Sequence, residues 1–148
     1  MKNDTEQALF WKKNFGDKYT SRAYRNSQVY TTRLKSWIEI LKLSNDIKSV
    51  FEIGTNLGIN LDAIKSLSNN QIKTHGIEIN KKAYQICKKK NHSVINKDIL
   101  NFRSKKKYDL SFSWGVLIHI HPNNLEKAYD LLYRSSKKYI LVSELVLE

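Results

Sequence analysis

Three acidic residues, Glu52, Glu78 and Asp98, each stand at or near the end of a short apolar run, and the first opens the stretch Glu52-Ile53-Gly54-Thr55-Asn56-Leu57-Gly58. Glycines at positions 54 and 58 let a chain turn from strand into helix, bring backbone close to a ligand and present N–H groups at a helix N-terminus. Their spacing decides the ligand. A dinucleotide fingerprint is G-x-G-x-x-G, with the middle glycine approaching a pyrophosphate. Here the middle position is Asn56, and Glu52 would repel a phosphate. A carboxylate at that point favours a cation, or an ammonium group held through water. Glu78 follows Gly58 by 20 residues, the place from which an acid accepts both hydroxyls of a ribose. Asp98 precedes apolar Ile99; a carboxylate can accept from an exocyclic amine while its neighbour packs on the ring, although Asp98 also suits the N-cap of a short helix. The three together describe an adenosine with a positive or zwitterionic tail.

To converge, these acids need a parallel sheet. From about residue 48, β-branched runs alternate with helical patterns, which predicts βαβ units in one α/β domain. Strands are expected at Ser49 to Ile53, Ile72 to Ile79, Ser93 to Asn96, Tyr108 to Ser113 and Tyr139 to Ser143. Between them, helices carry Leu61, Ile64 and Leu67, then Ala83, Ile86 and Cys87, then Leu125, Ala128, Tyr129 and Leu132 on their inner faces. Pro122 suits the first turn of the last helix, where its missing N–H costs nothing. Carboxyl ends of successive strands form the crevice where open α/β sheets bind ligands. Ahead of this core, Leu34, Trp37, Ile38 and Leu41 mark an amphipathic helix. The stretch before it, from Leu9-Phe10-Trp11 through Tyr19 to Arg25-Asn26, is aromatic yet polar and suits a lid.

The 148 residues, 41% hydrophobic and 27% charged, fit one domain with its own core. One cysteine, Cys87, excludes an internal disulfide and a cysteine-cluster zinc site, so no metal is expected. No run reaches the roughly 20 apolar residues of a membrane span, and the first seven residues lack the apolar stretch of a signal peptide, which makes the cytoplasm the expected location. The net charge of +12 would suit a polyanion, but lysine supplies 21 of the 26 cations and arginine only five. The runs Lys88-Lys89-Lys90 and Lys105-Lys106-Lys107 read as solvated helix end and turn, and nucleic acid is not the expected partner.

On these residues the chain resembles the class I S-adenosylmethionine-dependent methyltransferases. The turn E-I-G-T-N-L-G resembles their E/D-x-G-x-G-x-G loop, departing at Asn56. Glu78-Ile79 in G-I-E-I-N matches the ribose-binding acid, Asp98-Ile99 the acidic-apolar pair at the adenine, and Tyr108 to His119 (Y-D-L-S-F-S-W-G-V-L-I-H) the fourth-strand motif that ends beside the transferred methyl. Thr5-Glu6-Gln7, Phe10-Trp11, Phe15-Gly16-Asp17, Tyr19 and Arg22, with G-V-L-I-H-I-H-P at 115–122 and Ser143-Glu144, are similar to small methyltransferases associated with pseudaminic acid biosynthesis.

The resemblance implies a Rossmann-like doubly wound sheet of about five strands in the order 3-2-1-4-5, short of the family's C-terminal β-hairpin. It divides the single domain into a lid (1–30), a flanking helix (31–46) and a core (47–148). S-adenosylmethionine is the implied cofactor and S-adenosylhomocysteine the product, with Glu52, Gly54, Thr55, Asn56, Gly58, Glu78, Ile79, Asp98, Ile99, Ser113 and Trp114 around it. Tyr19, Arg22 or Arg25 would hold its carboxylate from the lid, because arginine grips carboxylates bidentately. His119 is the candidate general base, with a structural role under the pocket as its alternative, and Trp114 either stacks near the sulfonium or packs in the core. The acceptor is expected to be a small molecule, sugar-like or carboxylate-bearing. An adenine-amino enzyme would carry D/N/S-P-P-Y/F where Ser113-Trp114-Gly115-Val116 stands. A second copy of the chain or the N-terminal segment is expected to cover the edge of the fifth strand.

Overall fold

The computed structural model describes residues 5–23 and 27–144. Five parallel strands, β1 (Ser49–Ile53), β2 (Lys73–Glu78), β3 (Ser93–Asn96), β4 (Tyr108–Trp114) and β5 (Ser136–Ser143), form one sheet in the order β3-β2-β1-β4-β5. The expected order is therefore the observed one. The first and third strands have the expected bounds; the fifth starts three residues earlier than its apolar run, because Ser136, Lys137 and Lys138 extend the ladder without being buried.

Alternation along the strands sends apolar side chains to both faces, as a sheet covered on two sides requires. Val50, Leu110 and Phe112 meet Trp37 of α3 (Ser27–Leu43), Leu61 and Ile64 of α4 (Ile59–Leu67) and Cys87 of α5 (Lys81–Lys89). Phe51, Ile53 and Ile77 meet Ala128, Leu131 and Leu132 of α6 (Pro122–Ser135) on the other face. Three residues expected inward are exposed, one of them Ile38 of α3. Leu67 closes the last turn of α4 and is 37% exposed, and Tyr129, 50% exposed, lies one residue off the Ala128/Leu132 stripe of α6. Tyr139, Ile140 and Val142 of β5 are also exposed.

The lid stretch is not one helix but two, α1 (Glu6–Lys12) and α2 (Asn14–Ala23), because Lys13 is extended and breaks the turn. Thr5 caps α1 by accepting from Ala8 N at 3.1 Å. The flanking helix begins at Ser27 rather than residue 31. Trp37, fully buried, donates its indole N–H to Asn60 Oδ1 at 3.0 Å, which joins α3 to the helix that follows the glycine turn. Among the described residues no helix is long and apolar enough to cross a membrane.

Removing that donor leaves a buried amide oxygen unpaired. Trp37→Phe should cost about 1–3 kcal/mol, read as a lower urea midpoint with an unchanged slope; an unchanged midpoint would deny the indole–amide bond its part in the fold.

Candidate cofactor and acceptor site

The carboxyl ends of β1, β2 and β4, the segment after β3, the loop after β4 and the two lid helices enclose one cavity. Gly54, Asn56, Glu78, Ile79, Asp98, Ile99 and Trp114 line it, and so do Trp11, Tyr19, His119, His121 and Asn124.

The turn after β1 uses its own donors. Gly54 N and Thr55 N both donate to Ile77 O, at 2.8 and 3.1 Å, and Gly58 N donates to Thr55 O at 2.8 Å. Asn56 N donates to Glu78 Oε2 at 2.7 Å. Four N–H groups that could have cradled a phosphate are thus satisfied within the protein, a correction to the picture of a free N-terminal donor set. Gly54 and Gly58 hold φ near +72° and +71° and Asn56 φ of +45°. The left-handed region suits glycine, and asparagine is among the side chains that tolerate it.

Glu78 is the pivot of this end of the sheet. Its second oxygen accepts from Asn80 N at 2.7 Å, so one carboxylate joins two loops. Burial pushes its acidity toward the neutral form, and the N–H groups of Asn80, Asn56 and Ile79 oppose that. Each carboxylate oxygen can still accept another donor. Asp98 keeps the capping role that its position offered: Oδ1 accepts from Leu100 N at 2.9 Å and Oδ2 from Asn101 Nδ2 at 3.1 Å. It lines the cavity as well, beside Ile99 and Leu100, so the capping role does not take it away from the cavity.

Glu52 lies elsewhere. It does not line the cavity but sits beneath the turn, 2% exposed, where Asn60 Nδ2 donates to Oε1 at 2.6 Å and Oε2 has no partner among the described residues. Burial pushes its pKa up to about 8 despite the Asn60 bond and the charge of Arg33. Thr55, Gly58 and Ser113 also lie behind the wall. Thr55 is buried at the foot of the turn and Gly58 caps α4. Ser113 donates to Glu144 Oε1 at 2.9 Å. Of the lid residues, Tyr19 lines the cavity, Arg22 is exposed outside it, and Arg25 lies outside the described residues. Arg33 is the arginine near the wall: its guanidinium lies over the Trp114 ring at 4.2 Å. Isolated in a helix, it offered no motif by which the sequence could mark it.

His119 lines the cavity in a single 3₁₀ turn, its ring 4.7 Å from that of Trp11. Partial desolvation lowers its basicity and so favours the neutral imidazole, with the carboxylate of Glu144 opposing. Glu144 also accepts from Val116 N and Ile118 N, each at 3.3 Å, and so fixes the loop that carries His119. Cys87, buried and pushed up to about 12, donates its thiol to Asn56 O at 3.0 Å. It supports the turn rather than reacting. His92 is buried ahead of β3 and contacts Asp62 Oδ1 at 2.7 Å, while Lys90 holds Asp62 Oδ2 at 2.6 Å and Leu57 O at 2.9 Å. One residue of the first lysine run therefore braces the turn.

No family model and no curated protein matches the chain. Solved structures match its fold. DesVI of Streptomyces venezuelae superposes with a TM-score of 0.73 at 12% identity, over 90% of this chain and 58% of its own. The plantazolicin methyltransferase BpumL, solved with a desmethyl plantazolicin analogue and S-adenosylhomocysteine, gives 0.71 at 20% identity, over 93% and 56%. The sugar N-methyltransferase KedS8 of Streptoalloteichus gives 0.70 at 12%, over 98% and 57%. The chain thus spans a little over half the length of each. Its fold is the Rossmann-like fold of S-adenosylmethionine-dependent methyltransferases.

The acid under the turn gives a pH signature. A carboxyl group held protonated in the fold and ionised in the unfolded chain contributes stability in full below its unfolded value and loses it as pH rises through the folded value. For Glu52 that window runs from 4.5 to about 8. Glu52→Gln keeps the oxygen that Asn60 needs and removes the titration. Its urea midpoint should exceed that of the parent at pH 8, and the advantage should shrink to nothing near pH 4.5; a pH-independent difference would contradict a buried neutral Glu52.

Proposed function

We propose that the chain binds S-adenosylmethionine and transfers its methyl group to a small-molecule acceptor, a sugar or nonulosonic acid precursor. The observation that carries the reading is the continuous cavity, in which the glycine turn, Glu78 and the Asp98-Ile99 pair occupy one part and Trp11, His119 and Asn124 another. The donor chemistry fits the cofactor. Satisfied N–H groups at Gly54, Thr55 and Asn56 leave no cradle from these groups for a pyrophosphate, while Glu78 can accept ribose hydroxyls. Ile79, Ile99 and Leu100 supply apolar walls for a purine.

Bound S-adenosylmethionine would supply an electrophilic methyl on a sulfonium, so the protein has to align the acceptor and exclude water. Trp11 offers a flat apolar face on which a sugar ring can rest. His119, whose partial burial favours the neutral imidazole, can take the proton that an acceptor hydroxyl or ammonium loses. The lid helices close the cavity from the solvent side. Sugar and peptide methyltransferases among the structures of like fold support a small acceptor.

Glu78→Ala should weaken S-adenosylhomocysteine binding by about 2–3 kcal/mol in calorimetry, roughly 30- to 150-fold. Unchanged affinity would sink the assignment of the nucleoside site. Transfer of labelled methyl groups to a panel of amino sugars and nonulosonic acids tests the enzyme itself. His119→Ala should then lower turnover with cofactor affinity intact, whereas binding without turnover across the panel would mark a cofactor-holding protein.

A further inference from the structure

One side chain touches both the nucleoside end of the cavity and the lid. Asn80, 3% exposed, follows β2 and lines the cavity. Its oxygen caps α5 by accepting from Ala83 N at 2.9 Å. Its amide nitrogen donates twice into the lid: to Trp11 O of α1 at 3.0 Å and to Asp17 Oδ1 of α2 at 2.9 Å. Its own N–H holds Glu78 Oε1 at 2.7 Å. Every hydrogen-bonding group of the side chain is thus used, half for the core and half for the lid.

The lid is shaped to accept this contact. A Cβ at Gly16 would stand 1.9 Å from Trp11 O and 2.7 Å from Asn80 Nδ2, so any larger residue there would force the helices and the amide apart. Two further bonds tie α2 to the core: Thr20 Oγ1 to Asn56 Oδ1 at 3.3 Å, and Lys82 Nζ to Ser21 Oγ at 2.9 Å. Thr20, 2% exposed, thereby meets the one residue of the glycine turn whose N–H Glu78 holds.

We propose that Asn80 is a positioning residue that latches the lid to the nucleoside site, so that seating a cofactor against Glu78 and setting the Trp11 wall beside His119 are coupled events. The coupling rests on the cofactor reading given above; the latch itself does not. Because Glu78 and Asn80 share a bond, a ligand that orders Glu78 also orders the residue that holds Trp11. The acceptor part of the cavity is complete only with the lid seated, since Trp11 forms its wall. Asn80 touches no reacting atom in this scheme.

Asn80→Ser tests it, because serine caps helices as well as asparagine does but cannot reach both lid acceptors. Amide hydrogen exchange reports lid opening. In the unliganded protein the variant should speed exchange in residues 6–23 by about five- to thirtyfold, the factor for one or two lost net hydrogen bonds; an unchanged rate overturns the latch. With saturating S-adenosylhomocysteine the parent protein should slow exchange in the same residues, while Asn80→Ser should bind the ligand in calorimetry yet lose that slowing. Slowing that persists in the variant, or that is absent in the liganded parent, overturns the coupling, as does complete loss of binding, which would make Asn80 part of the ligand site. Should the variant fold poorly, Gly16→Ala gives the same lid release from the other side of the contact. No S-adenosylhomocysteine binding by the parent would overturn the cofactor reading and the coupling with it, and the unliganded comparison would still decide the latch.

Discussion

The carboxylate of Glu78 holds the N–H groups of Asn56 and Asn80 at 2.7 Å each, and the rest of the site is arranged around that pair of bonds. A buried carboxylate needs donors to remain tolerable. Here the donors come from the two loops that must lie side by side for strands β1 and β2 to present a common crevice. Satisfying the charge and aligning the loops are therefore one event. The N–H groups of Gly54, Thr55 and Gly58 close on Ile77 O and Thr55 O, which fixes the turn's shape and takes these donors away from any phosphate.

The charges divide sharply by position. Although the chain carries a net charge of +12, the carboxyl groups Glu78 and Asp98 line the site, and Glu52 lies below it, pushed toward its neutral form by burial. The cations near it have structural partners. Lys90 braces the turn through Asp62 and Leu57 O, and Arg33 lies on Trp114. A positive surface around an acidic cavity argues against reading net charge as a statement about the ligand.

Aromatic packing makes the lid a unit. Trp11 meets Phe10, Phe15 and Tyr19 edge to face at 6.0, 5.2 and 5.4 Å, and Phe10 stacks on Phe15 at 4.1 Å. These contacts hold two short helices together, each too short to be stable alone. The cluster reaches the core loop after β4 through the Trp11–His119 contact, while Glu144 holds that loop from behind.

Strand positions and the acids at their ends were legible because parallel strands are continuous apolar runs whose bounds are marked by Gly, Asn and Lys, whereas the strand order followed from the resemblance to the methyltransferases. Local spacing also brought Gly54, Glu78 and Asp98 to the cavity, while Gly58 lies behind its wall at the cap of α4. Glu52 could not be placed correctly, since spacing says that an acid precedes the turn but not that α4 supplies Asn60 and draws it beneath the wall. The arginines show the same limit. Arg22 lies in the expected segment and is exposed, whereas Arg33, one helix later, reaches Trp114. Asn80 and Glu144 act across 63 and 28 residues, and a residue that works by joining distant segments leaves no periodic trace. Chain-local patterns thus specified the sheet and its acids; which side chains close the cavity was settled by packing between elements far apart in the chain.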